Sequence, residues 1–321
     1  MATRTVGAQG ANEFIELTLA QYLDNLESQL QADCLTYVGP LLSGTDDRIR
    51  YATEAIMDKK PKLVVMLETI GGFAEVARRI SDTFRRHYAV VDFLIPSHAM
   101  SAGTILAMSG DDIHMDYYSV LGPIDPQVEN QEGRLIPALG YLIRYEDLLE
   151  KANSGNITAA ELNILLNFDQ GDLYRFTQAR DLSISLLEEW LVKYKFKDWI
   201  TTETHGRPVT LEMKKTRARE IAEELNNVRK WNSHGIGISA EVLRRELNLK
   251  IDDFGANGLL NEAVQKYHRL LSDYMAKDGS PNCNSFTSRL RVPEMTKEKS
   301  HAAAGHRQNI SRESEPRSRC V

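Results

Sequence analysis

Two apolar runs, the continuous KLVVMLET at 62–69 and AVVDFLIP at 89–96, broken only by Asp92, constrain this chain more than any other feature. A strand with one wet face alternates polar and apolar residues, whereas these runs are mostly apolar at both sets of positions. They therefore fit strands buried on both faces of a parallel sheet. An earlier run, CLTYVGPLL at 34–42, reads as a third buried strand that ends at a Gly-Pro break. Between the runs lie segments of helical spacing. In DDRIRYATEAIMDKK, Ile49, Ala52, Ala55 and Ile56 share one face, with Asp46 or Asp47 as N-cap. In GGFAEVARRISDTFRRHY the shared face carries Ala74, Ala77, Ile80 and Phe84, and SAGTILAMSGDDIHM restarts a helix. The order β-α-β-α-β-α predicts an α/β fold with right-handed crossovers and a mostly parallel sheet covered by helices.

The rest of the chain is read around that centre. Residues 1–32 form an N-terminal helical appendage, built on NEFIELTLAQYLDNLESQLQAD. Residues 33–254 form the main domain, which turns largely helical after SVLGPIDPQVEN, and 255–276 form a C-terminal helix. The tail 277–321 holds nine Lys/Arg against five Asp/Glu and few apolar residues, too little apolar surface to order itself. The net charge of −6 gives no basic field for nucleic acid. Three widely spaced cysteines, Cys34, Cys283 and Cys320, form no CxxC pair, so neither a disulfide framework nor a cysteine zinc site is expected. A signal peptide's apolar stretch and a membrane-spanning run are both lacking, so the chain is expected to be cytoplasmic.

Chemistry is expected at the carboxyl ends of the two central strands, where open α/β sheets place their ligands. Glu68-Thr-Ile-Gly-Gly72 follows the first strand, and Pro96-Ser-His-Ala-Met-Ser-Ala-Gly-Thr104 follows the second. In the second turn Ser101 stands at a strand-to-helix junction between small neighbours, as a sharp nucleophile turn requires. Alone it would more readily be a helix N-cap; the pair of turns together favours the nucleophile. The Ala102 N–H at the helix start is an unpaired donor suited to an oxyanion, and Gly71 or Gly72 can supply the opposing donor where no side chain blocks a substrate.

The combination of Gly71-Gly72, the A-M-S-A-G-T turn at Ala99 to Thr104 and the L-G-P-I-D-P-Q segment at Leu121 to Gln127 resembles the serine dehydrogenase proteinase (SDH proteinase) family. That family has the ClpP/crotonase-like fold and is related to signal peptide peptidase A. The resemblance spans roughly 33–254 and is strongest over 62–127. It implies a β-α superhelix with a helical C-terminal extension, homo-oligomerisation, and ATP-independent hydrolysis of peptides or unfolded protein without metal or organic cofactor. By resemblance Ser101 is the nucleophile, with Gly71, Gly72 and Ala102 as oxyanion or substrate-binding groups.

A serine hydroxyl needs a base to take its proton. In ClpP a histidine falls within the segment matched here by VLGPIDPQ, where this chain has Ile124 and Asp125; Asp125, between two prolines, is read as bracing a rigid turn. Relatives of the signal-peptide-peptidase type use a lysine, and the first lysine after Ser101 is Lys151, the leading base if burial keeps it neutral. His205 in TTETHGRPV and His234 in WNSHGIGIS are the alternatives, the latter resembling a T-H-x-x-P-I element of the family. The expected function is a serine endopeptidase. A non-catalytic scaffold of the same fold and an acyl-CoA hydratase or isomerase of the crotonase type are the other readings.

Overall fold

In the computed structural model, which describes residues 10–129, 135–202, 206–277 and 286–287, the chain forms an α/β fold around a parallel sheet. Helix α1 (Ala11–Leu30) leads into β1 (Asp33–Val38), α2 (Thr45–Ala55), β2 (Lys62–Glu68), α3 (Ala74–His87) and β3 (Val90–Ile95). Then come β4 (His98–Ala99), α4 (Ala102–Ala107), β5 (Ile113–Met115), β6 (Val120–Leu121), and a hairpin of β7 (Gln127–Glu129) and β8 (Leu135–Pro137). The helical part follows: α5 (Ala138–Asn153), α6 (Ala159–Leu166), α7 (Gln170–Trp190) running into a π-helical turn at Leu191–Lys195, α8 (Leu211–Leu225) and α9 (Val228–Trp231). The chain closes with β9 (Ile238–Ser239), α10 (Ala240–Leu247), β10 (Asp252–Asp253), α11 (Gly258–Lys277) and β11 (Phe286–Thr287).

The main sheet runs β10-β5-β3-β2-β1-β11, parallel throughout except for the β1–β11 pair. Its centre is dry on both sides, as the apolar runs require. One face carries Cys34, Val64, Met66 and Leu94 against Leu19, Leu23 and Leu26 of α1 and Val264, Tyr267 and Leu271 of α11. Residues one step along each strand point the other way. There α3 packs on the sheet, with the rings of Phe84 and Phe93 tilted at 6.4 Å. Burying a side chain such as Phe84, 1 % exposed, contributes about 1.5–3 kcal/mol. The Tyr267 hydroxyl, otherwise stranded in this core, donates to Thr36 Oγ1 at 3.0 Å.

Two local expectations are corrected. The N-cap of α2 is Gly44 at φ 87°, not Asp46 or Asp47, which occupy the first turn. Asp46 instead accepts the Gly44 N–H and pairs with Arg79. The helix begun at Ser101 does not continue through Ile113. It stops after Ala107, where Ser109, Gly110 and Asp111 turn the chain; Arg85 and Lys197 hold Asp111, and Ile113–Met115 joins the sheet as β5.

The expected tail at 277–321 lies, apart from Lys277 and β11, outside the described residues. Among the described residues no helix is long and apolar enough to cross a membrane.

Candidate active site

Beyond the main sheet, a three-stranded sheet of order β4-β6-β9 assembles the site. β4 and β6 are parallel, pairing Ala99 with Leu121, and β9 runs antiparallel to β6, pairing Leu121 with Ile238. The carboxyl ends of β4 and β6 and the start of β9 therefore share one edge. Ser101 leaves that edge two residues after Ala99, Asp125 four residues after Leu121, and His234 approaches it four residues before Ile238.

Ser101 has φ 52° and ψ −120°, a left-handed region sparsely used by non-glycine residues, at a strain of order 1–3 kcal/mol. It is the N-cap residue of α4, yet its side chain makes no capping bond, so the hydroxyl is left for other work. The strain is held by neighbours. The Thr104 hydroxyl lies 2.8 Å from Ala99 O and 3.0 Å from Gly122 O, and it accepts the Gly122 N–H at 2.9 Å.

The glycine turn is laid against this one. Thr69 and Ala99 form a parallel bridge, in which Thr69 N–H donates to His98 O at 3.0 Å and Met100 N–H donates to Thr69 O at 2.9 Å. On its other side, Leu41 N–H donates to Gly71 O at 2.8 Å and Phe73 N–H donates to Leu41 O at 2.9 Å. Gly71 and Gly72 have φ 104° and 149° and stand where side chains do not fit. A Cβ on Gly71 would lie 2.7 Å from Ser101 Cβ and 2.8 Å from Met100 O, and one on Gly72 would collide with Leu41 O. Gly71 N–H already donates to Thr69 Oγ1 at 3.0 Å. Gly72 N–H and Ala102 N–H donate to no protein acceptor among the described residues. Ile70 and Phe73, flanking the glycines, are exposed apolar side chains.

The candidate bases are placed very differently. Lys151 ends α5 with its side chain 47 % exposed and its ammonium 2.5 Å from Glu161 Oε1. That bond, with those from Thr158, pushes the Glu161 carboxyl down to about 2. The Lys151 ammonium is thus exposed and ion-paired, the opposite of the burial that would make it a neutral amine. His205 lies outside the described residues. His234 Nδ1 is 2.8 Å from Oδ1 of Asp125, whose side chain is 1 % exposed and whose Oδ2 accepts from Gln127 Nε2 at 3.0 Å. Asp125 orients an imidazole as well as closing its turn. The sequence reading missed that partnership because 109 residues separate the two, and two-residue strands leave no periodicity to reveal that β9 pairs with β6.

Residues 44–155 match the model of the ClpP-like SDH-type serine proteinase family. The uncharacterized protein MJ0137 of Methanocaldococcus jannaschii is 28 % identical over 180 residues, covering 53 % of this chain and 56 % of the relative. MJ1495 of the same organism is 30 % identical over 99 residues, covering 31 % of this chain and 32 % of the relative. The chain thus spans about half the length of the first relative and about a third of the second. Two solved structures are similar at a TM-score of 0.40, each covering 68 % of this chain. One is a serine-to-alanine mutant of the 1510-N membrane-bound stomatin-specific protease, at 16 % identity and 76 % of that chain. The other is a lysine-to-alanine mutant of that protease in complex with a substrate peptide, at 18 % identity and 72 % of that chain.

Proposed function

For a chain whose residues 44–155 match the ClpP-like SDH-type serine proteinase family, we propose an endopeptidase that works through Ser101, His234 and Asp125. The observation that carries this reading is the Asp125–His234 hydrogen bond at the same sheet edge from which Ser101 departs. Asp125 accepts the Nδ1–H, which fixes the tautomer and leaves Nε2 as the base. Ser101 Oγ attacks the peptide carbonyl as His234 Nε2 takes its proton. Gly72 N–H and Ala102 N–H receive the developing oxyanion, and Gly71, whose own N–H is engaged by Thr69, serves by lacking a side chain. The tetrahedral intermediate then expels the amine, which takes the proton from His234. Water hydrolyses the acyl-enzyme by the same proton route in reverse.

An extended peptide suits the groove beside Gly71-Gly72, where main-chain hydrogen bonds give sequence-tolerant binding and the exposed Ile70 and Phe73 offer apolar contact. Self-association belongs to the same reading. Helix α6 exposes Leu162, Ile164 and Leu166 and buries no residue of its own, which is how a surface awaiting another copy looks.

The test is covalent labelling by a fluorophosphonate, read by intact mass. Wild type should gain one adduct, and Ser101→Ala and His234→Ala should gain none. An unlabelled, correctly folded wild type, or full-rate labelling of His234→Ala, overturns the triad.

A further inference from the structure

The two halves of the oxyanion site hang on different strands, and one buried residue touches both. Thr69 is 2 % exposed and directly follows β2. Its hydroxyl oxygen accepts Gly71 N–H at 3.0 Å, which ties down the turn carrying the free Gly72 N–H. Its backbone holds the other half, donating to His98 O at 3.0 Å and accepting Met100 N–H at 2.9 Å on the approach to Ser101. Its methyl group fills the space over Gly103 in the first turn of α4, where an added Cβ would collide with Thr69 Cγ2.

An oxyanion is stabilised only if both donors reach one point, at about 2.7–3.1 Å. The quantity to be controlled is therefore the position of the Gly72 amide relative to the Ala102 amide. The Thr69–Ala99 bridge fixes the strands, but glycine at positive φ has wide freedom, so the glycine turn beyond them must be held at the peptides on both sides of Gly71. Leu41 N–H holds the Gly71 carbonyl, and with it the Gly71–Gly72 peptide, from one side. The Thr69 hydroxyl, by accepting Gly71 N–H, fixes the peptide before it, so that Gly71 is held at both ends, and the methyl packs on Gly103 at the start of α4. We propose, resting on the serine-peptidase reading above, that Thr69 is a positioning residue that holds the glycine-turn donor in register with the Ala102 donor through its hydroxyl, while its methyl contributes packing against α4.

The side chain offers a clean dissection. Thr69→Val keeps the shape but cannot accept the Gly71 N–H; Thr69→Ser keeps the hydroxyl and gives up only the methyl. The readout is the concentration dependence of fluorophosphonate labelling, which separates the maximal rate of serine phosphonylation from the saturation constant. Thr69→Val is expected to lose about 10- to 100-fold in maximal rate, less than outright deletion of a donor, with the saturation constant unchanged. Thr69→Ser is expected to retain most of the wild-type rate, although both variants lower the melting temperature. Should Thr69→Val not fold, Thr69→Ala carries the same expectation, again with Thr69→Ser as the rescue. A labelled wild type with Thr69→Val or Thr69→Ala at an undiminished maximal rate overturns the role of Thr69 alone. A wild type that takes no label overturns the peptidase reading, and this proposal with it.

Discussion

Asp125 and His234 are joined at 2.8 Å by a carboxylate–imidazole hydrogen bond that closes a loop of 109 residues. Everything between them, from the β7–β8 hairpin through α9, is inserted between a strand that ends at the site and a strand that begins there. The carboxylate is buried and the imidazole partly exposed, 1 % against 23 % at the side chain. The imidazole is thus held from the buried side and open to solvent on the other, the arrangement that the proposed base requires.

Asp125→Asn tests that arrangement without emptying the site. An amide can hold the imidazole in the wrong tautomer, with Nδ1 accepting and Nε2 protonated, so the base is lost while the fold stays. The labelling rate should fall by about 10²- to 10⁴-fold, with little change in the urea midpoint. A rate within threefold of wild type would show that His234 is not the base.

Lys151→Ala should be silent in the same assay. An exposed ion pair such as Lys151–Glu161 contributes little, and the side chain points to solvent and Glu161. Labelling within about twofold of wild type is expected. A loss of labelling would restore the lysine as base and require α5 to rearrange in the working enzyme.

What the sequence made legible follows from the range of the interactions. The central strands were readable because burial on both faces clears a run of nearly all polar residues, completely in Leu63 to Leu67 and in β3 of all but Asp92, which Lys62 and His114 hold. The Gly71-Gly72 and Ser101 turns were readable because backbone geometry there demands particular residues. Lys151 drew attention by its place after Ser101, but burial is a tertiary property, and the helix end that carries it faces solvent. Helix α4 ended earlier than its spacing suggested because Asp111, fixed by Arg85 and Lys197, anchors a turn that no local pattern announces. Asp125 reads as the brace of a rigid turn and His234 as one of two alternative bases, and only the pairing of β6 with β9 brings them together.

Gly71→Ala should abolish labelling and destabilise the fold together. The methyl group would meet Ser101 Cβ at 2.7 Å and Met100 O at 2.8 Å, and φ 104° is unfavourable for alanine even in open space. Strain of that kind costs about 1–3 kcal/mol before the clash is counted. The check is a urea titration beside the labelling assay. Unchanged midpoint and rate would mean that the two turns are not in contact.

Acid should loosen the same region from behind. Glu68, the last residue of β2, accepts from His268 Nε2 of α11 at 2.5 Å and lies 3.9 Å from His98 Nδ1. Burial by itself would raise the Glu68 carboxyl. The hydrogen bond and charge of His268, with the charge of His98, outweigh it and hold the group below the ordinary carboxylate range. A carboxyl held lower in the folded than in the unfolded chain stabilises the fold at every pH above about 5, and that contribution is lost as pH falls through the lowered value. Asp92, held by His114 and Lys62, and Asp111, held by Lys197, the Val91 N–H and Arg85, are depressed in the same sense against their own burial, so they share the acid limb. The difference between wild type and Glu68→Gln isolates the Glu68 part. The variant should be less stable at pH 7 and should lose less stability than wild type between roughly pH 5 and pH 3, as read from urea midpoints. Curves that stay parallel over that interval would show that the Glu68–His268 contact does not clamp α11 to the strand bearing the glycine turn.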